Sequence, residues 1–196
     1  KSLSLVTDLH DGKAPGHGRR VGALAAFLAG ACGQGEAMRR RLEIAAMTYD
    51  VGKLRIPRSI LSKPSNLDDL QRLQVQEHCR LGRDILAEAR SPMLRDAAAI
   101  ALSHHENWDG SGYPHALAGA GIPLGGRIVR LCDAYTSLLQ PRPHRPAYQP
   151  EVASRHIREG AGREFDADLV RIFSESEREF HQIATGFNAG LGIVKK

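Results

Sequence analysis

His104-His105-Glu106-Asn107-Trp108-Asp109-Gly110-Ser111-Gly112-Tyr113-Pro114 closes an alanine-rich, mostly apolar run, Met93 to Leu102. A run of that kind without glycine or proline reads as a buried helix. The glycines and the proline behind it read as a turn. Two adjacent histidines therefore end a helix, ~100° apart around its axis, close enough to face one interior site. The rest of the chain has the same character. It is 42% hydrophobic and only 5% aromatic, and its apolar residues are mostly Ala, Leu, Ile and Val. That mixture favours packed helices over a β-sandwich. The expected fold is all-α: a bundle of about seven helices with a long loop after the histidines.

Upstream, a first helix runs from near His17 through Val21, Leu24, Ala25 and Leu28 to Cys32, stopped by Gly33 and Gly35. A second starts near Glu36, buries Leu42, Ala45, Ala46 and Tyr49, and ends at Asp50-Val51-Gly52-Lys53. Pro57 and Pro64 break the pattern. A long third helix, capped by Asn66 or Asp68, is expected to reach about Ala89 with Leu70, Leu73, His78, Leu81 and Ile85 near one face. The fourth covers Met93 to His105. Downstream, Asn107 to Gly126 reads as a long loop, of a kind that usually carries function. A fifth helix bears Ile128, Leu131, Cys132, Tyr135 and Leu138. Gln140 to Pro150 is an extended proline-rich segment, followed by helices over Glu151 to Gly160 and Ala167 to Ala184. Residues 1–16 read as a lead-in from an upstream domain, 17–185 as the domain itself, and 186–196 as a flexible tail.

The 196 residues suit one domain. No apolar run approaches ~18 residues and no signal-peptide pattern is visible, so no membrane partner is expected for this segment. Cys32, Cys79 and Cys132 are isolated and form no CxxC, as core thiols of a reducing cytoplasm would be. A net charge of +5 suits an anionic partner such as a nucleotide. The arginines are scattered and no recognition helix stands out, which argues against DNA as a partner.

Six residues that could bind metal lie on or beside faces expected to be buried: His17, Asp50, His78, His104, His105 and Asp133. Asp133 is the clearest, set mid-helix between Cys132 and Ala134. A buried carboxylate without a partner is costly, so it needs a metal, an arginine or a donor. Imidazoles mixed with carboxylates fit iron, manganese or zinc better than calcium or magnesium. Four histidines and two carboxylates suffice for two divalent ions sharing one carboxylate. Paired ions ~3.5–4 Å apart suit phosphoester hydrolysis.

The order of these residues is specific. His17, Asp50-x-Gly52-Lys53, His78-x-x-x-Gly82, His104-His105-Glu106, Asp109-Gly110-x-Gly112-Tyr113-Pro114 and Asp133 resemble the HD-GYP family, a helical branch of the HD-domain phosphohydrolases. Ile56-Pro57, Ile60-Leu61, Lys63-Pro64, Ile122-Pro123-Leu124, Arg127-Ile128, Arg142-Pro143-x-Arg145 and Phe165-Asp166 extend the likeness over roughly 17–173. The resemblance implies hydrolysis of cyclic di-GMP to linear pGpG, GMP or both. It implies two divalent ions, iron or manganese before zinc or magnesium: one held by His17, Asp50 and Asp133, and another held by Asp50, His78, His104 and His105, with Asp50 bridging. Lys53 would serve catalysis beside Asp50 by steadying phosphate charge or protonating the leaving group. Gly112, Tyr113, Arg142 and Arg145 would meet substrate. A signalling protein such as a diguanylate cyclase domain, or a second copy of the chain, would be a partner.

Four positions depart from the family pattern. Tyr49 stands where the signature has His before Asp, leaving the first metal three ligands. Lys13 stands where members with a third metal carry Glu, which argues against a trinuclear cluster and could put a cation near the first metal. Thr136 and His144 replace an Asp and a Tyr. The alternative these departures imply is a degenerate module that binds cyclic di-GMP or a signalling partner without cleaving.

Overall fold

The computed structural model describes residues 2–63, 65–88, 91–141 and 146–186. Among these the chain forms helices and no β-strand: α1 (Ser2–His10), α2 (His17–Ala31), α3 (Glu36–Ala46), α4 (Arg58–Leu61), α5 (Asp69–Gln76), α6 (His78–Ala87), α7 (Pro92–Ser103), α8 (Leu124–Leu138), α9 (Pro150–Glu159), α10 (Ala167–Glu175) and α11 (Glu177–Gly186). Short 3-10 turns cover Val51–Arg55 and Gly119–Gly121. The all-α expectation holds. The helices outnumber the expected seven because two long ones are interrupted and two short ones, α1 and α4, add to the set.

The core lies between α2, α3, α7 and α8. Val21, Leu24, Ala25 and Leu28 of α2 are fully buried, as are Ile128, Val129, Leu131 and Cys132 of α8. Each such Leu or Ile contributes about 1.5–3 kcal/mol by leaving water. Tyr135, Phe173 and Phe180 meet edge to face at centroid separations of 5.0–5.5 Å and join α8 to α10 and α11.

The lead-in contains α1, which is not decoration. The Asp8 carboxylate accepts hydrogen bonds from the Gly16 and Gly18 amides at 2.9 and 3.2 Å. Gly16, the residue just before α2, has no side chain to do this, so Asp8 supplies the N-terminal cap from a distance. The loop between α1 and α2 is thereby pinned, and it delivers Asp11 and Lys13 to the interior.

The second helix ends at Ala46, earlier than its pattern suggests. The Thr48 hydroxyl bonds the Ala45 carbonyl at 3.0 Å, and the backbone then tightens into i to i+3 bonds from Val51 to Thr48 and from Lys53 to Asp50. Tyr49 and Asp50 thus sit in a turn rather than on a helix. The expected third helix is broken at Glu77, between α5 and α6. There the His78 ring takes the Val75 carbonyl at 2.6 Å, in place of an uninterrupted helical ladder. The last helix is likewise divided at Ser176, whose hydroxyl bonds back to the Ile172 carbonyl at 2.8 Å. Thr136, one of the residues departing from the family pattern, is buried and bonds the Cys132 carbonyl within its own helix at 2.7 Å. Arg142, His144, Arg145 and most of the tail expected from residue 186 lie outside the described residues.

Candidate metal centre

His78 opens α6, His104 and His105 follow α7, and Asp50 follows α3. The fold brings one ligand atom from each of the four within 4.8 Å of the others. His78 Nδ1 faces the Val75 carbonyl, and His104 Nδ1 faces the Ile100 and Ala101 carbonyls at 3.2 and 3.0 Å. A carbonyl only accepts, so both rings carry their proton on Nδ1 and present a bare Nε2 lone pair inward. Those two Nε2 atoms lie 3.3 Å apart. Asp50 Oδ1 stands 3.4 Å from one and 3.6 Å from the other, and it is buried without a hydrogen-bond partner. Three electron-rich atoms converging in a buried pocket repel one another unless a cation joins them. The donor set therefore fits a divalent transition metal.

The other carboxylate oxygen, Asp50 Oδ2, has a different environment. The Lys13 ammonium donates to it at 2.7 Å and Lys53 donates to it at 3.1 Å. Lys13 Nζ also lies 2.9 Å from the Tyr49 hydroxyl, 3.1 Å from His17 Nε2 and 3.5 Å from Asp133 Oδ1. The Tyr49 hydroxyl in turn donates to Asp133 at 2.6 Å, and His17 Nδ1 meets the Gln140 side-chain amide at 3.2 Å. The set expected to hold a first metal, His17, Asp50 and Asp133, is thus gathered in one place around an ammonium group. With Lys13 where it stands, these residues do not fit an ion of their own.

Lys53 has two carboxylate partners, Asp50 and Asp11, the latter at 2.8 Å. Burial works to lower its pKa, but those carboxylates outweigh it and push the ammonium well above the usual lysine range. Lys53 is therefore a fixed positive charge rather than a proton donor. Burial likewise works to raise Asp50, yet the Lys13 and Lys53 charges hold it well below the usual carboxylate range. Burial dominates for Tyr49, with Asp133 and Asp50 adding to it, so the phenol stays protonated.

Burial also lowers His78 to about 3 and His17 to about 4, with a neighbouring lysine charge next in each case. Rings held below their unfolded pKa of about 6.5 bind fewer protons folded than unfolded, so acid favours unfolding. The loss begins as pH falls through about 6.5. Asp50 and Asp133, held low in the fold, add theirs only near and below about pH 4. The metal-free protein is therefore expected to melt on the order of 5–10 °C lower at about pH 5 than at about pH 7. Thermal unfolding followed by circular dichroism in chelator checks this, and a flat melting temperature over that range would contradict it.

The loop after His105 is built on Glu106. This carboxylate is buried and accepts from the His115 and Leu117 amides at 2.8 and 3.0 Å, drawing the loop back to the end of α7. Gly112 lies where a Cβ would meet the Asn107 amide and, at 2.5 Å, both Glu106 Cα and the His105 carbonyl. Only glycine allows that approach. The Tyr113 ring stacks on His105 at 4.7 Å. Arg130 ties Asn107 to Glu164 with bonds of 3.1 and 3.0 Å. A groove of about 450 Å³, lined by Arg130, Asp133, Ser137, His156 and Glu164 among others, opens on Asp133.

The sequence pattern singled out six candidate ligands; the fold brings Asp50, His78, His104 and His105 together as one set that could hold a metal and places His17 and Asp133 beside Asp50 around Lys13. It did not identify Asp11, which lies in the lead-in and carries no periodic signal. It also missed the structural work of Glu106, although a carboxylate directly behind a buried His-His pair is itself a sign of an internal partner. Arg142 and Arg145 lie outside the described residues.

The chain is similar to a cyclic di-GMP phosphodiesterase of Vibrio cholerae, 43% identical over 72% of this chain and 30% of that protein. It is similar to a cyclic di-GMP phosphodiesterase of Thermotoga maritima, 34% identical over 92% of this chain and 49% of that protein. The chain thus spans half or less of the length of these curated relatives. Among solved structures, a cyclic GMP-AMP specific phosphodiesterase of V. cholerae matches 96% of this chain and 50% of its own at a TM-score of 0.72 and 20% identity, a likeness of fold. The HD domain pattern matches residues 3–169. With the histidine pair, the glycine-tyrosine-proline loop and Asp50 placed as described, the chain belongs to the HD-domain family, in its HD-GYP branch.

Proposed function

We propose that this chain is a metal-dependent phosphodiesterase that opens cyclic di-GMP, releasing linear pGpG, GMP or both. The observation that carries the reading is Asp50 Oδ1, buried without a partner and facing the bare Nε2 atoms of His78 and His104. Those three groups and His105 would hold the ion, and their donor types suit iron, manganese or zinc better than magnesium; the family resemblance favours iron or manganese. Such an ion supplies Lewis-acid polarisation of a phosphoryl oxygen and lowers the pKa of water.

The chain's own residues do the rest. His78 and His104 keep their orientation through backbone carbonyls, so the donors are in place before substrate arrives. Lys53 offers a permanent positive charge beside Asp50, suited to charge gathering on a phosphate. Tyr113, stacked on His105, forms the lip over the centre, and Gly112 lets the loop lie close enough to do so. Arg142 and Arg145 would contact phosphate or guanine. The relatives' substrates support a cyclic dinucleotide, the three thiols are free, and no helix among the described residues is long and apolar enough to cross a membrane. Cytoplasmic signalling is the setting that goes with this reading.

The test is cyclic di-GMP incubated with purified protein and added Mn(II) or Fe(II), products being separated by chromatography, with 3'3'-cGAMP run in parallel. Turnover is expected to drop at least ~10²-fold in chelator and to return with metal. Wild-type protein that yields no more product than Asp50→Asn would sink the catalytic reading. A second reading, binding without cleavage, is favoured by the Lys13 ammonium among His17, Asp50 and Asp133. It predicts saturable binding of cyclic di-GMP by calorimetry with no product.

A further inference from the structure

We propose that the Lys13 ammonium is a built-in substitute for a metal ion: it takes the hub among His17, Tyr49, Asp50 and Asp133, and the chain binds one divalent ion, at Asp50, His78, His104 and His105. The inference rests on the metal reading of the latter four residues and assigns the neighbouring centre to a side chain.

The ammonium of the hub stands among the residues an ion would need. Of its N–H bonds, one goes to Asp50 Oδ2 at 2.7 Å and one to the Tyr49 hydroxyl at 2.9 Å. His17 Nε2 at 3.1 Å and Asp133 Oδ1 at 3.5 Å complete the surround, 2.9 Å from one another, with the imidazole N–H donating to the carboxylate. An ion ligated by His17, Asp50 and Asp133 would need the same point, about 2.0–2.2 Å from each donor. Ammonium and ion cannot share it.

Lys13 is not a surface residue folded inward by chance. It is 8% exposed, and its backbone amide bonds the Asp8 carbonyl at 2.9 Å. Asp8 is the residue that caps α2, so the helix that begins with His17 and the loop that carries Lys13 are held by one anchor. Tyr49 completes the arrangement. Its hydroxyl oxygen accepts from Lys13 while its proton goes to Asp133. An imidazole nitrogen there would offer a lone pair or a proton, whereas the hydroxyl offers both.

Charge leads to the same count. Three carboxylates, Asp11, Asp50 and Asp133, lie within 3.8 Å of Lys13, and two of them also hold Lys53. Leaving the imidazoles aside, the cluster carries one net negative charge. One divalent ion turns this into one net positive charge. A second ion beside both ammoniums would leave three positive charges in a buried volume, which is strongly unfavourable at low dielectric. Asp50 is the shared element, giving Oδ2 to the ammonium and Oδ1 to the ion.

The experiment is metal content after reconstitution with Mn(II) and desalting, measured by plasma emission, with electron paramagnetic resonance on the same samples. Wild type is expected to hold close to one ion per chain with the spectrum of an isolated Mn(II). His104→Ala should lose that ion, and Asp133→Asn should keep it. Lys13→Ala should take up a second ion and show a spin-coupled pair. In chelator Lys13→Ala should melt on the order of 5–10 °C below wild type, because Asp50 and Asp133 lose a buried counter-charge, and Mn(II) should recover most of that loss. Lys13→Met, which keeps the apolar stem, serves if the alanine variant does not fold. Two coupled ions in wild type would overturn the proposal while leaving the metal reading intact. A folded Lys13→Ala or Lys13→Met that still holds one ion would also overturn it. No ion in wild type would instead refute the metal reading on which it rests.

Discussion

Asp50→Asn is expected to reduce hydrolysis by at least ~10³-fold and to empty the metal site. The change is nearly isosteric, so its effect is one of charge. Asp50 is the sole carboxylate in the four-donor set, and its Oδ1 is buried without a hydrogen-bond partner. An amide at that point offers at best a neutral oxygen and at worst two N–H groups aimed at a cation. The other oxygen neutralises two lysines at 2.7 and 3.1 Å. Removing its charge leaves Lys13 and Lys53 partly uncompensated in a buried site, which costs about 3 kcal/mol or more. The variant should therefore fail twice, once in metal content and once in thermal stability. The measurements are turnover at saturating cyclic di-GMP, bound metal per chain, and melting temperature in chelator. Normal metal content with lost turnover would mean that Asp50 acts on substrate rather than on an ion.

Much of this centre is legible in the sequence because burial and polarity conflict there. His104 and Asp133 lie where periodicity calls for hydrophobic residues, and the residue pattern alone exposes that conflict; the face expected around His78 is a correction, since Leu70, Leu73 and Ile85 are exposed and α6 buries His78 with Cys79, Gly82 and Leu86. The position of Lys13 is not visible in the same way. It depends on a loop whose path is set by Asp8 capping a helix from the preceding element, and a cap at that distance leaves no periodic trace. Asp11 is hidden for the same reason, since its partner Lys53 is distant in sequence and the two meet only when α1 packs against the 3-10 turn at Val51–Arg55. The broken helices show a different limit. Asp68, one of the two caps expected, starts α5 and forms a capping box with Gln71, but the stop at Glu77 accompanies the His78 ring taking a backbone carbonyl. The same bond that interrupts the helix aims His78 Nε2 at Asp50, so helical periodicity is the weakest guide where the site is made.

Gly52→Ala tests how far the site depends on backbone contact alone, and its expected effect on stability is the largest of any single methyl group near the centre. Gly52 belongs to the turn just after Asp50, and that turn packs against α6. A Cβ there would drive into the His78 carbonyl and come within 2.5 Å of the Gly82 amide nitrogen. Both obstacles are main chain, so no side chain can rotate away and the whole of α6 must shift. Overpacking with backbone displacement costs roughly 3 kcal/mol, which at this chain length lowers the melting temperature by about 10 °C. The shift also moves His78, so metal affinity should fall even in protein that remains folded. Gly121→Ala is the control, because a Cβ there meets nothing within 4 Å. If Gly52→Ala melts and binds Mn(II) as wild type does, the turn and α6 are not in the close contact described, and the placement of His78 against Asp50 must have another cause.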